Sequence, residues 1–132
     1  MQPTTLSAFL RRVLLIDAAT SIACGLLLAG AAGPLTDLLG LPAALLRGAG
    51  LGLLPIAAFI LFVATRAAVP RLLVWLVIAG NVIWAIDSLA LLATPWVAPT
   101  LLGSAFVIGQ AAIVAILARA EHLGLRGSPA LA

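Results

Sequence analysis

Asn81, Trp84, Asp87 and Ser88 fall at helical spacing within residues 71–93, RLLVWLVIAGNVIWAIDSLALLA, a run that is otherwise apolar. An amide, an indole, a carboxyl and a hydroxyl on neighbouring turns can hydrogen-bond, stack on a ligand or carry a proton. A carboxyl inside so long an apolar run is costly, and it needs a partner, a proton or a task. Asp17 raises the same question in residues 9–32, where Ser21 follows it one turn later. Gln110 is the amide of the last apolar run, and Arg47 is the cation at the head of the second. These residues are the candidate polar sites.

Other chemistry is poorly supplied. The single Cys24 excludes an intramolecular disulfide and a cysteine-based metal site. The single His122 falls in what reads as a polar tail after Ala118, so one chain cannot offer a bis-His haem site. There is no Ser-His-Asp set, metal cluster or phosphate loop, and the chain reads as a non-enzyme without cofactor or metal. GAGLG at 48–52 opens an apolar helix rather than following a strand, so it is not a nucleotide loop. The arginines lie scattered at segment ends without interleaved aromatics, which argues against nucleic acid as a partner.

The elements that must position these residues are membrane spans. Hydrophobic residues make up 64% of the 132, well above the roughly 45–50% of a soluble domain. Charged residues make up 8%, too few to clothe a soluble fold of this size. The expected class is all-α: a single membrane domain with four transmembrane helices over about 9–32, 47–65, 71–93 and 100–118. Arg11 and Arg12 before an apolar stretch suggest a signal peptide, but the stretch is too long and further spans follow. Residues 34–47 are too short to span and are punctuated by Pro34, Gly40 and Pro42. They predict short helical turns at the interface, with a re-entrant segment as the alternative. Asp17, Ser21, Gly25, Ala29 and Gly33 form a stripe suited to close helix packing. Gly48 with Gly52, and Ala105 with Gly109, predict further close contacts. Pro55 predicts a kink.

Four spans put both termini on one side, together with Arg11, Arg12, Arg66, Arg71, Arg119 and Arg126. Only Arg47 lies opposite. By the positive-inside rule the termini face the cytoplasm. Asp17 then lies about 8 Å inside from Arg12, and Asp87 about 9 Å from the outer face. The two are roughly 13 Å apart in height across a 30 Å core and should not pair. Arg47 is placed to reach Asp87, and Arg12, Arg66 or Arg71 to reach Asp17; protonation is the alternative for either acid. Asn81 and Gln110 fall at similar heights and should bond across their helices. Trp84 should fill the bundle interior or offer a stacking surface.

The run LRRVLLIDAATSIACGLLL, followed by GPLTDLLGLPAALLRGAGLGLLPIAA, resembles a group of small bacterial four-span membrane proteins. In these a Leu- and Ala-rich first helix passes through a Gly-Leu-Pro turn and an Arg-Gly pair into a Gly-rich second helix. Asn81, Trp84 and Gln110 look similar to positions in that group. A more distant likeness is to DoxX-like four-helix proteins, through four spans with early arginines. The resemblance implies an architecture and a bacterial inner membrane, and implies no activity.

The first functional expectation is a structural or accessory protein that packs on itself, or on a larger membrane partner, through small-residue faces. The second is an oligomeric proton-linked transporter or channel using Asp17, Asp87 or both. An enzyme or a lipid-binding protein ranks third.

Overall fold

A computed structural model of the chain describes residues 3–128. Its elements are β1 (Pro3–Thr5), α1 (Ala8–Gly30), α2 (Ala32–Leu39), α3 (Ala43–Thr65), β2 (Ala68–Pro70), α4 (Arg71–Leu92) and α5 (Leu101–Arg126). Four of these helices, α1, α3, α4 and α5, are long and apolar enough to cross a membrane. They are apolar all round, as helices in lipid are. Leu26, Ile86 and Ile116 point outward and are 59%, 60% and 67% exposed. The protein is an all-α, multi-pass membrane bundle.

Local chemistry sets the helix ends. Ser7 caps α1 by accepting from the Leu10 amide at 3.1 Å, and Thr100 caps α5 by accepting from Gly103 at 3.0 Å. α2 stops at Gly40, whose φ of 70° is left-handed. A Cβ there would also lie 2.8 Å from the Thr100 amide. Pro42 and Pro70 sit immediately before α3 and α4, where a missing amide costs nothing.

The spans pack as two pairs. α1 lies along α3, α4 lies along α5, and α1 against α5 joins them. α3 and α4 barely touch. The α1–α3 seam closes at Gly25 and Gly50, where a Cβ on Gly50 would stand 2.5 Å from the Ala29 amide and 2.7 Å from the Gly25 carbonyl. At the α2 end of the bundle Gly103 of α5 lies against the Leu39 carbonyl, and Thr100 holds Leu38 and Leu39 through two hydrogen bonds. At the other end β1 pairs antiparallel with β2. Thr4 Oγ1 donates to the Ser128 carbonyl, and Ser128 Oγ accepts from the Ser7 amide. The first and last described residues therefore share one end of the bundle.

Several expectations need correction. The short helical turns expected within residues 34–47 need none: they are present as α2, with Gly40 to Pro42 between it and the first turn of α3. Two short strands are unexpected: β2 lies between α3 and α4 and pairs with β1 at residues 3–5; Met1 and Gln2 lie outside the described residues. The last span runs on to Arg126, so the polar tail expected from Arg119 is helix at least that far; residues 129–132 lie outside the described set. His122 is accordingly half-buried, its ring centroid 5.4 Å from that of Trp75. Close packing falls to Gly25, Gly50, Gly103 and Gly124. Gly33, Gly48, Gly52 and Gly109 have open space where a Cβ would go, and Ala105 is exposed. The glycines were placed by spacing, but the partner helix selects the face.

Gly50→Ala should lower the thermal unfolding midpoint in mild detergent, with an overpacking cost of about 1–3 kcal/mol. Gly48→Ala should leave the midpoint unchanged or raise it, since it removes chain entropy without a clash. Equal effects of the two would break the assignment of the seam.

Candidate functional site

Three polar side chains from three spans meet in the core. Asp17 on α1, Asn81 on α4 and Glu121 on α5 are 1%, 8% and 0% exposed. Asn81 Nδ2 donates to Asp17 Oδ2 at 2.6 Å and to Glu121 Oε1 at 2.8 Å. Ser21 Oγ donates to Asp17 Oδ1 at 3.4 Å, which leaves Glu121 Oε2 buried with no hydrogen-bond partner among the described residues. One amide thus bridges two carboxyl groups.

Helix geometry explains why these residues meet. Asp17 lies nine residues past the first residue of α1, and Asn81 lies ten past the first of α4. At 1.5 Å per residue both are about 14 Å along parallel-running spans. α5 runs the opposite way and brings Glu121 back to that level from its far end. Arg11 and Arg12 lie within α1 rather than at its edge, and Arg11 extends its guanidinium to the Ala64 carbonyl at 2.5 Å.

The arginines do not serve the acids. Arg71 Nη1 donates to the Leu125 carbonyl at 3.4 Å, Arg66 stacks 4.7 Å from the Phe62 ring centroid, and Arg12 is exposed. Arg47 and Asp87 are both exposed on their helices, and neither has an ion-pair partner among the described residues. The expected Arg47–Asp87 pairing is therefore absent from this chain. As expected, Asp17 does not pair with Asp87, yet it does meet a second carboxyl, that of Glu121.

Asn81 and Gln110 do not bond to each other. Gln110 Oε1 instead accepts from Trp84 Nε1 at 2.9 Å, and Ser88 Oγ donates back to the Trp84 carbonyl of its own helix at 2.7 Å. Trp84 is half-buried and lines three cavities. The first, about 360 Å³, is a cleft between α3 and α4 bounded by Leu53, Phe59, Ile60, Gly80 and Asn81. The second, about 180 Å³, lies between α1 and α5 beside Asp17 and Gln110. The third, about 80 Å³, is near Leu41 and Leu91 at the α2 end.

Glu121 lies beyond the span that the sequence predicts, because Arg119 reads as the end of it. A signal was available: Gln110, Val114, Leu117 and Glu121 continue one i, i+4, i+7, i+11 stripe with no breaker before Gly124. Arg119 lies on another face of that helix and can carry its charge to the interface.

No protein-family model, curated protein or solved structure matches the chain. What the arrangement can do must come from its own groups. Among the described residues no three His, Cys, Asp or Glu side chains group as a metal set. Two buried carboxyls on one amide, with no ion-pair partner among the described residues, offer proton chemistry.

Asn81→Ala strands an oxygen on each carboxyl and should destabilise the fold by about 1–3 kcal/mol per stranded group. In an Asp17→Asn/Glu121→Gln background the same change should cost less, because two neutral amides can bond to each other. Thermal unfolding of the four variants measures this coupling; strictly additive effects would remove the bridge as an energetic unit.

Proposed function

We propose that this protein is a proton-linked membrane carrier, with Asp17 and Glu121 holding one proton between them on the Asn81 bridge. The single observation that carries the reading is that bridge. Two carboxylates within reach of one amide repel one another, and a low dielectric strengthens the repulsion. With no cation beside them, the favourable state is one proton for the pair, as in other carboxyl dyads. The unpartnered Glu121 Oε2 marks where that proton, or whatever replaces it, can be held. Asp17 was among the residues expected to serve this role; Glu121 takes the place given to Asp87.

The setting proposed for it is a bacterial inner membrane. The arginine-rich end, with the chain termini, faces the cytoplasm, where Arg11, Arg12, Arg66, Arg71, Arg119 and Arg126 satisfy the positive-inside rule. The lipid bilayer is its first partner. A second copy, or a larger membrane protein, packs on the open faces around Gly48, Gly52 and Gly109, where nothing lies within 4 Å of an added Cβ. Those same faces support the second reading, an accessory protein whose polar cluster only fixes the register of its helices. The proposed role involves no bond chemistry, so the protein is not an enzyme, and it needs no cofactor.

Infrared difference spectroscopy in lipid separates the two readings. A carboxylic-acid band should be present in the wild type at neutral pH. It should weaken in both Asp17→Asn and Glu121→Gln and persist in Asp87→Asn. It should also respond to pH between about 5 and 9, as an accessible site must. A band that never changes over that range favours the accessory reading, and the absence of any protonated carboxyl overturns the shared proton.

A further inference from the structure

The cleft between α3 and α4 has chemistry of its own. Its volume of about 360 Å³ falls within the range of small-molecule sites. Because α3 and α4 barely touch, the cleft runs between two spans, with Leu53 to Ile60 on one side and Leu76 to Trp84 on the other. The lining is almost wholly apolar, with Phe59 and Trp84 as its aromatic walls.

The donors at this cleft are all engaged elsewhere, Ser21 Oγ on Asp17, Trp84 Nε1 on Gln110 and Asn81 Nδ2 on the two carboxyls, which leaves it acceptors and acids. Asn81 lines the deep end and spends its Nδ2 on the two carboxyls, so its Oδ1 has no partner among the described residues. Behind it lie Asp17 and Glu121 with the unpartnered Oε2. In the α3 wall Pro55 has no amide hydrogen, so the Leu51 carbonyl lacks its i+4 donor. On α4, Gly80, Trp84 and Asp87 follow at i, i+4 and i+7, which puts the exposed Asp87 on the cleft side toward the α2 end. No Arg or His lines the cleft.

We propose that this cleft binds a lipophilic organic cation drawn laterally from the membrane. Apolar walls fit the body of such a molecule, and aromatic faces attract its charge. The Asn81 and Leu51 carbonyl oxygens, with the acids behind and above them, repel an anion of the same shape. The coupling of this site to protons rests on the proton-sharing reading above; the binding does not. A cation in the cleft lies against the Asn81 bridge and competes electrostatically with the shared proton. Binding therefore tightens as pH rises and the proton leaves.

Tetraphenylphosphonium and tetraphenylborate test the idea, since they match in shape and differ in sign. Equilibrium dialysis against the purified full chain in mild detergent should give about one phosphonium site per chain, at least about tenfold tighter than the borate. Gly80→Leu fills the cleft from a position with open space above it, so it should fold and should weaken the phosphonium by at least about tenfold. Equal binding of the two ions, or phosphonium binding indifferent to Gly80→Leu, overturns the site. Charge-selective binding that tightens with pH in the wild type, and is pH-independent in Asp17→Asn/Glu121→Gln, supports both site and coupling. Selective, Gly80-sensitive binding that is pH-independent in the wild type keeps the site and removes the coupling. Carboxyls that titrate in the infrared without selective phosphonium binding keep the proton reading and remove the site.

Discussion

Asn81 offers one amide nitrogen to two carboxyl groups, and the arrangement of the spans follows from satisfying that contact. In lipid no water competes for these groups, so leaving any of them bare costs more than in a soluble core. The bridge joins α1, α4 and α5 at one level. α3 contributes nothing to it and is held instead by the Gly25–Gly50 seam with α1. The outcome is a bundle with three helices locked by polar contacts and the fourth attached along one side. The cleft between α3 and α4 is the space left by that asymmetry.

Large parts of this architecture were legible in the sequence. The four spans follow from apolar length, and the shared end of the termini follows from their even number. The position of α2 follows from Pro34, Gly40 and Pro42, and its eight residues are the short helical turns expected. Asp17, Asn81, Trp84 and Gln110 were recognisable because polar side chains in apolar runs stand out. Their pairing was not legible. Asn81 and Gln110 lie at similar heights, but height does not fix azimuth. The rotation of α4 turns Asn81 toward α1 and leaves Trp84 to reach Gln110. Glu121 was hidden by an arginine two residues before it, since a charge near a helix end reads as the edge of the membrane. Arg47 and Asp87 matched in height and sign, yet they occupy faces of α3 and α4 that do not meet.

The two ends of the bundle are built differently. At the arginine-rich end the β1–β2 ladder, Ser128 and the Arg11 and Arg71 contacts to main-chain carbonyls tie four segments together. At the other end α2 rests on α5 through Gly103 and Thr100. Neither tie crosses the α3–α4 gap at mid-depth. Small movements of the α1–α3 pair against the α4–α5 pair would change the cleft while leaving both ends joined.

The order in which the chain is made gives the polar bridge a further consequence. Asp17 leaves the ribosome 64 residues ahead of Asn81, and Asn81 leaves 40 ahead of Glu121. Helix α1 therefore meets the insertion machinery with an acid whose partners do not yet exist. A lone Asp at a helix centre costs about 2.5–3.5 kcal/mol on insertion scales. Helix α1 must enter with that acid neutral, or wait beside the translocon until α4 arrives. The bridge is completed only when α5 folds back, so release of these four spans into lipid as one bundle depends on the arrival of α5.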